Sequence, residues 1–386
     1  MKTPRVLILT AGFGEGHNAA ARALAAACDH LHGAGTAQVA DLFAATSPRL
    51  NALSRWLYLA MINRTPRLWS AVYSWVDRSS MPPRLRGLLA RERRLLAELI
   101  VSTEPVAIAS TYPVYAFLHA DLARTLTVNV PFYNVVTDSI SINSLWWRAG
   151  GAGWFMPNED SARVLRGVGL GDDQLHVCGF PVAPFFAEHA GKLAPPDLAA
   201  GATPRVLYII NSGTQHALET ARRLLAEVDW DVTFAVGRDD VLRQRLLRLA
   251  EDRPRPAQIL GWTHEIPRLL MTHHAVVSKA GGATTQEAIA ACCPMIVNQI
   301  VPGQEEGNYE LLRRHGAGAL AETPAAVVAE LRAAFAAGGG LWRRWRTALT
   351  ALSRPDAARQ IARTILTAAP ALEPIPLPLR LSPVPA

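Results

Sequence analysis

Ser278-Lys279-Ala280-Gly281-Gly282-Ala283-Thr284-Thr285-Gln286-Glu287-Ala288, followed by Val301-Pro302-Gly303-Gln304-Glu305-Glu306-Gly307-Asn308, holds a strand end, a turn and a helix start in sequence. The apolar run Ala275-Val276-Val277 before it predicts a strand, and Thr284 to Ala291 predicts a helix. Between them lies a turn of small residues. A glycine-rich turn that opens a helix presents unpaired backbone N–H groups and the positive end of a dipole, which suits a diphosphate. Lys279 adds a cation to the Gly281-Gly282 turn. Glu287 falls about one turn inside the helix, where a carboxylate accepts hydrogen bonds from a ribose diol. Met295 to Asn298 reads as the next strand, and Gln304 and Glu305 follow in the turn after it. Their amide and carboxylate are suited to sugar hydroxyls. Diphosphate, ribose and hexose readers in this order describe a nucleotide-sugar site.

The rest of the chain repeats the strand–turn–helix theme. In the first half, strands are expected at 5–10, 38–41, 106–110, 132–137, 153–156 and 175–178. In the second half they are expected at 205–210, 232–236, 258–260, 275–277 and 295–298. Helical stretches such as Ala19–Cys28 and Leu218–Val228 lie between them, implying βα units and parallel sheets. Each half opens with a strand, a Gly- or Ser-containing loop and a helix, a crude repeat of two Rossmann-like domains. The stretch 181–204 holds Pro181, Pro184, Pro195, Pro196, Gly201 and Pro204 and reads as the linker. Residues 1–180 then form the N-terminal domain and 205–340 the C-terminal one. Residues 370–386 carry six prolines, which exclude a helix.

The donor motif resembles that of the diacylglycerol glycosyltransferases, the monogalactosyldiacylglycerol synthases and their processive glucosyl relatives. These are related in turn to the lipid II-forming N-acetylglucosaminyltransferase. The family pattern is Lys-Ala-Gly, two small residues or prolines, Thr, two residues and Glu-Ala, then Pro-Gly-Gln-Glu-x-Gly-Asn. Lys279, Gly281, Thr284 and Glu287 match its first half; Gln304, Glu305 and Asn308 match its second. The resemblance spans most of residues 5–310. It implies an α/β fold of the GT-B class, two Rossmann-like domains facing across a cleft. In that class the last helix crosses back to the first domain, here about residues 341–366.

Three loops carry the remaining candidates. After the first strand, Gly12, Gly14 and Gly16 alternate before His17, and Asn18-Ala19-Ala20 opens a helix. Bare alternating glycines suggest a dinucleotide site, but His17 stands where a small residue would help a pyrophosphate approach. For the ribose of such a site Asp41 is only a loose candidate. The loop resembles the family's Gly-x-Gly-His segment, which places Gly14 and Gly16 on the acceptor side. His17 then becomes the base for an attacking hydroxyl. Thr137-Asp138 ends a strand ahead of Asn143 and Trp146. The family has Thr-Asp, a histidine and Trp here, so Asp138 is expected to assist His17, with Asn143 and Trp146 lining the acceptor side. Asn143 stands at the histidine's place and cannot transfer a proton. A helix cap is the competing reading of Asp138. Gly213, Thr214 and Gln215 follow the first strand of the second half and resemble the diphosphate loop of the lipid II-forming enzyme. Trp262, in another strand-end loop, is suited either to flank a base or to fill the core.

Composition sets the outer limits. The chain has 386 residues, half of them hydrophobic, with a formal charge of +7. That charge favours anionic partners. Only three of the 39 basic residues are lysine, so arginine richness by itself says little about phosphate binding. The four cysteines lack metal-ligand spacing, which fits a reducing compartment. No run approaches a membrane-spanning length, and Val6 to Thr10 reads as a first strand rather than a signal peptide. Residues 49–94 hold ten arginines against Asp77 and Glu92, with Trp56, Tyr58, Trp69, Tyr73 and Trp75 interleaved. Such an arm suits an anionic membrane surface, while a solvated basic face is the competing reading. No nucleic-acid motif accompanies it. The expected protein is thus a cytoplasmic, peripherally membrane-bound, inverting glycosyltransferase. It would move a hexose from a UDP-sugar to a lipid, without a cofactor or metal. The alternatives are an N-acetylglucosaminyltransferase, a UDP-N-acetylglucosamine 2-epimerase, or a non-catalytic nucleotide-sugar-binding protein.

Overall fold

The computed structural model describes residues 5–12, 15–47, 87–126, 129–210, 216–301 and 305–368. Twelve strands build two parallel six-stranded sheets. The first sheet contains β1 (Val6–Thr10), β2 (Ala37–Asp41), β3 (Ala107–Ser110), β4 (Phe132–Val135), β5 (Gly153–Met156) and β6 (Leu175–Val177), in the order β2-β1-β3-β4-β5-β6. The second contains β7 (Arg205–Ile209), β8 (Asp231–Ala235), β9 (Gln258–Leu260), β10 (Ala275–Lys279), β11 (Met295–Gln299) and β12 (Gly318–Leu320), in the order β12-β11-β10-β7-β8-β9. Val6, Leu7, Ile8 and Leu9 are all fully buried, as expected for a central strand covered by helices on both faces. Strand β12 has no counterpart in the sequence reading. It is three residues long, and Gly318 lies so close to Met295 that a Cβ there would sit 2.3 Å from the Met295 carbonyl oxygen.

The stretch expected to be a plain linker is instead packed. Pro184–His189 forms a helix with proline in its first turn, and Phe180, Val182 and Phe186 are buried in a core cluster of the second domain. The expected crossing helix is also divided. The long helix Pro324–Leu352 stays on the second domain, and its backbone breaks at Ala336–Gly339. Beyond the break the Trp342 indole donates to the His274 carbonyl at 2.7 Å. Only Ala357–Ala368 returns to the first domain. There Ala358, Ile361, Ala362 and Ile365 pack with Ala21, Leu24, Ala27 and Cys28 of the helix Glu15–His32. The chain crosses over Gly179, whose φ is +102° and where a Cβ would lie 2.5 Å from Arg354 Cβ. A side chain there would block the crossing.

All four cysteines are free thiols, and burial pushes the Cys28 and Cys293 thiols up to about 12. Most of the basic aromatic arm, to residue 86, and the Pro-rich stretch 370–386 lie outside the described residues. No described helix is long and apolar enough to cross a membrane.

Candidate active site

In an open parallel sheet, ligands bind beyond the carboxyl ends of the strands, where the strand order reverses. In the second sheet that point lies between β10 and β7; in the first it lies between β1 and β3. The four strand ends lead into Lys279-Ala280-Gly281, residues 210–216, Thr10–His17 and Thr111-Tyr112. Three of these segments are motifs singled out above. Gly14, Gly213, Thr214, Gln215 and Gln304 lie outside the described residues.

His17 stands in the first turn of the helix Glu15–His32. Its Nδ1 is 2.9 Å from Thr137 Oγ1, and its ring meets Tyr112 edge to face at 5.3 Å. The Thr111 hydroxyl donates to the His17 carbonyl at 3.1 Å. Burial holds the imidazole below the usual histidine range, although the Asp138 charge opposes it. Burial thus favours the neutral form of His17. Burial raises the Asp138 carboxyl, while His17, the Trp146 indole and the Asn143 backbone N–H pull it back. The same burial, with Asp41 and Asp138 adding, lifts the Tyr112 phenol above its ordinary range.

The division of labour around His17 differs from the sequence reading. Thr137, not Asp138, touches the imidazole; Asp138 acts on it through charge. Trp146 is 1 % exposed, so it cannot line the acceptor side. It stands behind Asp138 and donates its indole N–H to Oδ2 at 2.7 Å. Asn143 is buried as well; its side chain accepts from Leu145 N–H at 3.0 Å, at the start of the short helix Leu145–Arg148. Both residues position Asp138 instead of meeting an acceptor.

On the donor side, Gly281 precedes the helix Gly282–Ala290, and among the described residues no side chain caps its N–H groups. Lys279 pairs with Glu305, and Glu305 is buried, its other oxygen accepting from Val301 N–H at 3.1 Å. Asn308 donates to the Ala280 carbonyl at 2.9 Å, and its buried Oδ1 has no partner among the described residues. Glu305 and Asn308, expected to read the sugar, thus brace the turn that holds Lys279 and Gly281. Thr284 is half-buried in the first turn of that helix. Glu287, also half-buried, makes no hydrogen bond with a described residue. Burial lifts its carboxyl to about 7; Arg22 lowers it and Glu15 raises it. These two neighbours pair with each other at 2.5 Å, so their fields at Glu287 partly cancel.

The two halves meet at these motifs. A Cβ on Gly16 would lie 3.7 Å from Ala283 N, and one on Gly282 would lie 3.6 Å from the Thr137 carbonyl oxygen. The opening of the donor helix therefore faces both the His17 turn and its Thr137 partner. Thr137, Tyr112, Ser139 and Gln286 were missed by the sequence reading. Only Thr137 carried a signal, as the neighbour of Asp138 in the Thr-Asp pair.

Known proteins resemble this chain in sequence and in fold. Residues 17–182 match the monogalactosyldiacylglycerol (MGDG) synthase family, a stretch that contains His17 and Asp138 but ends before the donor domain. A processive diacylglycerol beta-glucosyltransferase of Bacillus cereus (strain AH187) is 26 % identical over 384 residues, covering 98 % of this chain and 97 % of the relative. A protein of the same name from Bacillus thuringiensis (strain Al Hakam) is 25 % identical over 374 residues, covering 95 % and 94 %. Among solved structures, S. aureus MnaA with UDP superposes with a TM-score of 0.62 at 12 % identity, covering 95 % of this chain and 96 % of that one. Acinetobacter baumannii MurG does so with 0.61 at 13 % identity, covering 94 % and 99 %. The chain is thus similar to the diacylglycerol glycosyltransferases along nearly its whole length, and its fold is the two-domain GT-B fold.

Proposed function

We propose that the protein is a UDP-sugar-dependent hexosyltransferase that glycosylates a lipid hydroxyl, most simply that of diacylglycerol, by a single inverting displacement. The observation that carries this reading is His17, its Nδ1 2.9 Å from Thr137 Oγ1, facing the start of the helix Gly282–Ala290. In the Nδ1–H tautomer, Nε2 holds the lone pair. It takes the proton of the acceptor hydroxyl as that oxygen bonds to the anomeric carbon. The anomeric C–O bond to UDP breaks and its electron pair leaves with the diphosphate. The sugar is inverted, so an α-linked donor gives a β-glycoside. Asp138 stabilises the imidazolium that forms.

Negative charge develops on the departing diphosphate, where the helix N–H groups and Lys279 lie. Fixed donors of this kind are among the largest contributions to catalysis. Gly213, Thr214 and Gln215 are assigned to the same diphosphate by their resemblance alone. Glu287, with no partner among the described residues, accepts from the ribose diol. Gln304 is assigned to the sugar by its resemblance alone. In this reading the helix and Lys279 supply the electrophilic help, so no divalent ion is required, and turnover persists in EDTA. The enzyme works from the cytoplasmic side at an anionic membrane surface through the basic aromatic arm.

The test is turnover of the purified protein with UDP-glucose, UDP-galactose or UDP-N-acetylglucosamine, with and without vesicles containing diacylglycerol, scored for glycolipid by mass spectrometry. Glycolipid from one donor supports the reading and names the sugar. UDP release without glycolipid refutes the lipid acceptor, and no turnover of any donor by folded protein refutes the enzyme.

A further inference from the structure

The three residues after Asp138 make an unusual local structure. Ser141 N–H donates to the Ser139 carbonyl at 2.5 Å, and Ile142 N–H donates to the Ile140 carbonyl at 3.0 Å. Ile140 lies at φ +56°, a region that a β-branched residue occupies only when its surroundings impose it. The second domain supplies that constraint. The Ile140 side chain packs against the cluster containing Ala280, Ala288 and Leu311. Ser139 Oγ accepts from Gln286 Nε2 at 2.9 Å, and both side chains are buried. The Ser139 carbonyl presses on the Cα of Gly307, where a Cβ would lie 1.8 Å from its oxygen. Two helices of the donor half, Gly282–Ala290 and Glu306–Arg314, thus grip the loop that carries Asp138.

We propose that Gln286 is a positioning residue that, through Ser139, sets Asp138 and the His17 turn against the donor helix at the separation that transfer requires. This rests on reading the site as a hexosyl-transfer site. Gly307 serves the same contact: any side chain there would hold the domains apart. When the halves separate, the Gln286–Ser139 hydrogen bond and the Gly307 contact are lost together and Asp138 is released. The donor is then activated only against a docked acceptor half, which limits transfer to water.

The experiment compares the full-length wild type with Gln286→Met, which keeps the length but loses the hydrogen bond, with Ser139→Ala, and with the double variant. One arm measures transfer from the active UDP-hexose to diacylglycerol vesicles. The other measures hydrogen exchange at the Ser141 and Ile142 amides. The expected result is a loss of about tenfold in kcat for each single variant, with the donor KM unchanged within about twofold. The double variant falls no further, because one interaction has been removed twice. Both amides exchange faster. Unchanged kcat and unchanged exchange in the single variants overturn the proposal, as does a rise in donor KM at constant kcat, which would make Gln286 a donor contact. If Gln286→Met does not fold, Ser139→Ala decides alone. If the wild type transfers no hexose, the functional reading fails by itself, and the exchange arm still decides whether the clasp exists.

Discussion

Glu287→Gln separates what this carboxylate contributes to binding from what it takes from stability. Glu287 is half-buried, lacks a hydrogen-bond partner among the described residues, and faces an Arg22 already paired with Glu15. Burial therefore wins and lifts its pKa from 4.5 to about 7. Because the folded value lies above the unfolded one, the contribution to stability is fully present below pH 4.5 and is lost as pH rises through 7. The interval, at about 1.4 kcal/mol per pH unit, corresponds to at most about 3 kcal/mol. Water entry and movement of Arg22 reduce this to about 1–2 kcal/mol. The glutamine variant should then match wild type in urea unfolding at pH 5 and exceed it by that amount at pH 8. UDP affinity should move the other way, weakening about 10- to 100-fold at pH 8, because a charge-assisted acceptor for the ribose diol becomes a neutral one. For the wild type, UDP binding should strengthen from pH 6 to pH 8 as the carboxylate ionises. Urea melts at the two pH values and calorimetric UDP titrations suffice. Equal stability of the two proteins at pH 8 would refute the buried, uncompensated carboxylate. Unchanged UDP affinity would refute its role at the ribose.

Gly307→Ala requires the Ser139 oxygen to retreat from 1.8 Å to an ordinary contact, a shift of about 1.5 Å. Misplacement on that scale lowers kcat about 10²-fold, while calorimetry should find UDP binding retained; a wild-type kcat would mean that the reactive state is not the closed one. His17→Ala should lose about 10² to 10⁴ in kcat, and the acid limb of the wild-type kcat/KM profile should lie below pH 6.5, since burial lowers this imidazole. Asp138→Asn should move that limb lower still, because the Asp138 charge raises His17; a limb moving upward contradicts the assignment. His273 is depressed to about 4 by burial, so its stabilisation is present above pH 6.5 and is lost as pH falls toward 4, by at most about 3 kcal/mol. Its slope opposes that of Glu287, so Glu287→Gln should steepen the loss of stability as pH falls from 7 to 5.

The architecture could be read from the chain because its signals are local. Buried apolar runs such as Val6–Leu9 and glycine turns before alanine-rich helices fix the strands, helices and their alternation. Strand β12 escaped because three residues with a glycine carry no period. The crossing helix was misread because the break at Ser353–Asp356 depends on passing over Gly179, a contact between residues far apart in sequence. Site residues divide in the same way. Their positions at strand ends follow from the motif, but the direction of a polar side chain does not. An amide that can read a hexose can equally brace a carbonyl, as Asn308 does at Ala280. A tryptophan near a cleft can line it or, like Trp146, stand behind a carboxylate. Gln286 and Ser139 carried no signal, since their partnership exists only across the domain boundary.

This division explains why the donor motif is longer than ligand contact alone requires. Glu305 is held by Lys279 and by Val301 N–H, and Asn308 holds the Ala280 carbonyl. Each fixes backbone near the opening of the helix Gly282–Ala290, whose N–H groups, in the proposed function, must point at a diphosphate before it arrives. Preorganisation of that kind removes the reorganisation that charge development would otherwise demand. Braces and readers therefore fail differently. Loss of a brace such as Asn308 lowers stability and affinity together, because the buried Ala280 carbonyl loses its partner and the turn loosens. Loss of a proposed reader such as Glu287 should lower affinity while raising stability, because a half-buried carboxylate with no partner among the described residues is removed. The sign of the stability change, measured beside UDP affinity, assigns each motif residue to one class or the other.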